Sequence, residues 1–140
     1  MKKEEIEAIA QSTLNKFKFK IKKPIFMFAE KKEFSKLLDN TPLQKHLEKT
    51  PCFVMEMKGG NVVYYCIEII DNLTKGWRKL SKDKFVEAIT VHEFLHSYNK
   101  IPVSDRGSAI FSESLVHNEM RREFPKLSRV LDKVELKSSL

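Results

Sequence analysis

The chain has 140 residues, 41% of them hydrophobic and 10% aromatic, which is enough for one folded core and too apolar for a disordered segment. Its formal charge of +7 raises the question of an acidic or nucleic-acid partner, yet no zinc-finger, Gly-rich phosphate or helix-turn-helix signature accompanies the lysines. No apolar run approaches a membrane span, and Met1-Lys2-Lys3-Glu4-Glu5 leads into an amphipathic stretch rather than a signal-peptide core, so a cytoplasmic protein without a membrane partner is expected.

In chain order, Ile6, Ile9, Ala10, Leu14 and Phe17 recur at helical spacing and predict a first helix. Phe17-Lys18-Phe19-Lys20-Ile21 then alternates at period two, and Ile25-Phe26-Met27-Phe28 is a short apolar run, so one or both should be strands. Lys16, Lys18, Lys20, Lys22, Lys23, Lys31 and Lys32 crowd this region. The alternation explains them as a solvated face opposite buried aromatics, and no nucleic-acid partner is expected. Two short helices should follow, from Lys31 to Leu38 and from Pro42 to Lys49, the latter with Thr41 as N-cap. A hairpin comes next: Cys52 to Lys58, a turn at Gly59-Gly60 or one residue later, and a return from Val62 to Ile70. Cys52 and Cys66 lie in these apolar segments and read as reduced core residues. Asn72 to Leu80 reads as a loop.

Ser81 then stands as N-cap to a helix with Asp83 in its first turn, and Phe85, Ala88, Ile89, His92, Leu95 and His96 follow at helical spacing. Within it lies His92-Glu93-Phe94-Leu95-His96. Two histidines four apart project from one helix face and can bind one zinc ion through two imidazoles. Glu93 is then placed beside the metal, where a carboxylate can take a proton from a water that the ion has acidified. The helix should fade near Asn99-Lys100, because Pro102 disfavours the helical region for Ile101.

Catalytic zinc usually has three protein ligands, and Glu113, His117, Glu119, Cys52 and Cys66 are the candidates for the third. A second helix is predicted from Ser108 to Phe124, opened by Gly107-Ser108 and ended before Pro125, with Ala109, Val116, Met120 and Phe124 on its apolar stripe. Glu113 falls on that stripe, where an unpaired carboxylate is costly and a metal would relieve the cost. Glu119 shares a face with Ser112, Arg122 and Glu123 and reads as solvated charge. His117 lies one turn after Glu113, suited to supporting a ligand.

A His-Glu-x-x-His helix followed by a helix carrying a glutamate resembles the gluzincin group of zinc metallopeptidases, and the size is most similar to the minigluzincins. The resemblance covers residues from about Val62 to Phe124, with Ser112-Glu113-x-x-x-His117 as its second motif. It implies one zinc per chain held by His92, His96 and Glu113, Glu93 as the catalytic base, and a peptide or protein substrate laid along a sheet edge. Where larger gluzincins often have an aspartate four residues after the glutamate, this chain has His117, which leaves open an exchange of roles between Glu113 and His117. The competing readings are a deformylase-like metal hydrolase, which would need Cys52 or Cys66 as ligand, and a regulatory or structural zinc protein.

The fold class expected is α+β: a small mixed sheet with a hairpin, packed against the histidine helix and the glutamate helix that follows, in a single domain over residues 1–140. Leu127, Val130, Leu131 and Val134 recur at helical spacing. Residues 126–140 are therefore expected either to pack as a core helix or, as the resemblance to zymogen-like minigluzincins implies, to occlude the zinc cleft with Glu135 or the terminal carboxylate near the metal.

Overall fold

The structure, a computed structural model, describes residues 1–100 and 106–134. In chain order its elements are α1 (Lys3–Lys16), β1 (Ile25–Phe28), α2 (Lys31–Leu37), a 3-10 helix (Pro42–Lys49), β2 (Cys52–Met57), β3 (Gly60–Tyr65), α3 (Ile67–Leu73), α4 (Lys79–Asn99), α5 (Arg106–Glu123) and α6 (Pro125–Leu131). This is the expected α+β arrangement, with the β2-β3 hairpin packed against the helix that carries both histidines.

The sheet has the order β1-β3-β2, β1 running parallel and β2 antiparallel to the central strand. Alternation sends side chains to two faces. Phe26, Phe28, Cys52, Val54, Val63 and Tyr65 join the main core with α1 and α4. Phe53, Met55 and Tyr64 take the opposite face, against Phe34 and Leu38 of the α2 region and Ile69 of α3. The two free cysteines fall in different clusters, Cys52 in the first and Cys66 in the second, and both are buried.

From Phe85 to Leu95 α4 is apolar on most faces: Phe85, Val86, Ala88, Ile89, Val91, Phe94 and Leu95 are all buried. A helix enclosed in this way must be covered from several sides. Here α1, α5, α6 and β2 all pack against it.

Several boundaries differ from expectation. The hairpin return ends at Tyr65 rather than Ile70, and Ile67–Leu73 is a helix whose Ile69 and Ile70 are fully buried. The β-branched run suits a strand, but it also places Ile69 and Ile70 where α3 can fill the core, and that packing decides. The turn is Lys58-Gly59, one residue earlier than expected, since Met57 pairs with Gly60. Gly59 has φ +107°, a left-handed conformation that glycine adopts without a Cβ clash. Residues 17–21 form no strand, whereas Ile25–Phe28 does. The loop before α4 is shorter than Asn72 to Leu80: α3 runs to Leu73 and α4 begins at Lys79, with Arg78 and not Ser81 as N-cap. Lys79 pairs with Glu5 of α1 at 2.6 Å, fixing the new first turn. Thr41 is the N-cap of the 3-10 helix but makes no side-chain capping bond. α5 starts at Arg106, two residues before Ser108. α4 ends where predicted, with Lys100 left-handed at φ 52°, while Ile101 and Pro102 lie outside the described residues.

The described part of the tail packs into the core. Leu131 is 5% exposed within the main cluster, and Leu127, Val130 and Val134 pack against it. Glu135 and the terminal carboxylate, the groups expected near the metal, lie outside the described residues. If α6 completes the core, Leu131→Ala should destabilise the protein by about 2–4 kcal/mol in urea unfolding, the range for an aliphatic side chain deleted from a packed interior. A loss below about 0.5 kcal/mol would show that α6 is a dispensable arm.

Candidate metal centre

The site is made where α5 crosses the end of α4. His92 and His96 stack one turn apart, ring centroids 4.9 Å, and their Nε2 atoms come within 3.2 Å of each other. From α5, Glu113 turns both carboxylate oxygens toward them: Oε1 is 2.8 Å from His96 Nε2 and Oε2 3.1 Å from His92 Nε2. Two of the three side chains are buried, while His96 keeps 12% of its side chain exposed at the cleft. His92 is 2% exposed and Glu113 5% exposed.

Such a cluster needs a proton or a cation among its facing atoms. Two imidazole nitrogens facing each other with lone pairs, and a carboxylate against both, repel unless a proton or a cation lies among them. Donors about 2.0–2.1 Å from a tetrahedral zinc stand about 3.3–3.4 Å apart, close to the observed separations. Imidazole and carboxylate are also ligand types that zinc accepts. His92, Glu93 and His96 each offer a donor atom within 4.8 Å of the others, so this group could hold a metal ion. Of the two carboxylates, Glu113 has the stronger claim as ligand because it contacts both imidazoles.

Glu93 has a different attachment. Its Oε1 accepts the Val54 N–H of β2 at 3.1 Å, which places the carboxylate between the histidines and the sheet edge. The orientation of β2 follows from its ladder. Pro51 C=O accepts from Cys66 N–H across the hairpin, so odd-numbered residues face β3, and Val54 and Glu56 turn their N–H and C=O groups to the open side. That side borders a cleft of about 1130 Å³ whose lining includes Phe53, Val54 and Met55 together with Glu93, His96 and Glu113.

One contributor was hidden from sequence reasoning. Ser112, assigned by helical phase to a solvated face, is 2% exposed, and its Oγ lies 3.0 Å from His96 Nδ1. With Nε2 given to a metal, Nδ1–H donates to this hydroxyl, which fixes both tautomer and ring orientation. Glu119 is likewise not free in solvent: Asn99 Nδ2 donates to its Oε1 at 2.8 Å, tying α5 to the end of α4. His117 is half-buried and stands 3.9 Å from Asp132 of the α6 region, and neither cysteine belongs to the metal-competent group.

Metal titration should discriminate among these residues. His92→Ala or His96→Ala should abolish stoichiometric zinc binding, and Glu113→Ala should weaken it far more than Glu119→Ala. Ser112→Ala should weaken it by about 10-fold, the usual scale for a residue that orients a ligand. If His117→Ala costs more metal than Glu113→Ala, the roles of the two exchange. Compared with protein families, with curated proteins and with solved structures, the chain matches none, so the chemistry of this cluster is what speaks for its function.

Proposed function

We propose that the chain is a zinc-dependent metallopeptidase of the gluzincin type, with one zinc held by His92, His96 and Glu113. The observation that carries this reading is the position of Glu93: a buried carboxylate beside the paired imidazoles, hydrogen-bonded to the backbone of a strand whose outer edge borders the cleft. A structural metal site needs no such neighbour. A hydrolytic one does.

Bound zinc would supply a Lewis acid that acidifies a water and polarises the scissile carbonyl. The chain's own residues do the rest. Ser112 holds His96 in the ligating orientation. Glu93 removes the proton from the attacking water as its oxygen bonds to the carbonyl carbon, then delivers that proton to the amide nitrogen as the carbon–nitrogen bond breaks. With the Val54 N–H held by Glu93, the outward Val54 C=O and the N–H and C=O of Glu56 can pair with an extended peptide laid antiparallel to β2, giving affinity with little demand on sequence. This arrangement puts the bound backbone beside Glu93, because Val54 itself touches that carboxylate.

Glu93→Gln separates the enzyme from a zinc protein of another kind. The amide keeps the shape of the carboxylate but cannot act as base. The variant should fold, keep about one zinc per chain and lose cleavage of a quenched-fluorescence peptide pool by at least about 100-fold. Cleavage retained by that variant would exclude Glu93 as the base.

A further inference from the structure

The mouth of the cleft carries a charge pattern that hydrolysis alone does not require. Lys20, Lys22 and Lys100 line the same cleft as Glu93, His96 and Glu113. Among the described residues none of these three lysines makes an ion pair or a side-chain hydrogen bond, while their neighbours do. Lys18 reaches Glu123 at 2.7 Å, and Lys16 lies 3.6 Å from Glu87.

Their positions follow from the fold. The period-two pattern after α1 survives without a strand: Phe17, Phe19 and Ile21 are half-buried, and Lys18, Lys20 and Lys22 are exposed. Phe17 meets Phe94 at 5.3 Å and Phe124 at 5.8 Å, and Phe19 stacks on Tyr98 at 4.8 Å. These rings clamp the connector against the end of α4, which brings Lys20 and Lys22 to the cleft. Lys100, four residues beyond His96, is the left-handed cap of the same helix. Outside the floor of the cleft, Glu56 is the only carboxylate in the described lining to set against these cations. On the floor, Glu93 and Glu113 are offset by a divalent ion once zinc is bound. A concave surface with one sign of charge concentrates its field and attracts the opposite sign.

We propose that the cleft selects extended peptides bearing acidic side chains, with Lys20, Lys22 and Lys100 as the specificity-determining groups. The cleavage half of this statement rests on the peptidase reading, and the binding half does not. A peptide fits better than a nucleic acid because the open edge of β2 offers backbone donors and acceptors in the register of an extended chain. The apolar wall of Leu38, Leu43, Phe53 and Met55 adds room for uncharged side chains between the acidic ones.

The test uses zinc-loaded full-length protein as Glu93→Gln, with three fluorescent decapeptides that differ only in carrying two Glu, two Gln or two Lys. Anisotropy should show the Glu peptide binding about 10-fold more tightly than the Gln peptide, the Lys peptide weakest, and the gap narrowing between about 50 and about 300 mM salt. Adding K20E, K22E and K100E should reverse the order at unchanged zinc content, and K20Q with K22Q should remove most of the preference if the triple variant fails to fold. Equal binding of all three peptides overturns the proposal, as does a thymidine oligonucleotide that displaces the Glu peptide at lower concentration. Acid-selective binding without cleavage by the wild-type protein keeps the cleft assignment and removes the peptidase. Cleavage of all three peptides at equal efficiency does the opposite.

Discussion

Two imidazole nitrogens and a buried carboxylate gathered within 3.2 Å form the constraint on which the rest of the structure depends. Groups of this kind separate into solvent unless something holds them. The fold holds them by fixing α4 to the sheet at two points three residues apart. Glu93 takes the Val54 N–H, and Thr90 Oγ1 lies 2.6 Å from Tyr65 Oη. Because Thr90 already donates to Val86 C=O, the phenol is the donor in the second contact. Burial pushes the Tyr65 phenol well above its usual range, so it keeps the proton that this bond requires. From the other side, Asn99 and Glu119 pin α5 to the last turn of α4, setting the depth at which Glu113 arrives.

This division explains what could be read from the sequence. His92, Glu93 and His96 were legible because spacing along one helix fixes their mutual geometry before any tertiary contact is known. Glu113 was legible for a related reason: a carboxylate on an apolar stripe needs a partner, and the nearest histidines supplied a plausible one. Ser112 was not legible. Its burial depends on how far α5 is rotated at the crossing, and a single small polar residue leaves no mark of that rotation. The contact between Val54 and Glu93 was equally invisible, since a backbone N–H carries no residue identity. The misread segment, Ile67–Leu73, failed because Ile67, Ile69 and Ile70 suit a strand on intrinsic preference, whereas α3 fills space beside Phe34 and Phe53 that a strand would leave open.

The same core shows how little spare structure the chain has. α6 covers one side of α4 and α1 another, so the elements before and after the histidine helix are structural walls. In so small a scaffold, the parts left to vary are the cleft lining and the connector over residues 17–24. The connector is irregular because its aromatics answer to Phe94, Tyr98 and Phe124 and not to a neighbouring strand. Lys20 or Lys22 can therefore be replaced without disturbing the paired histidines and Glu113.

The order of the sheet has one more consequence. A three-stranded sheet has two edges, and here they are treated differently. The β2 edge borders the cleft, whereas β1 forms the opposite edge, with Ile25 61% and Met27 44% exposed. An apolar edge of that kind is a template on which a second copy could pair and propagate into an aggregate. β1 is only four residues long, and Lys22-Lys23-Pro24 precedes it directly. Pro24 has no N–H to extend a ladder, and two like charges would be crowded by any neighbouring chain. The sheet thus confines backbone pairing to the side with a cleft around it, and gatekeeper residues discourage assembly on the other.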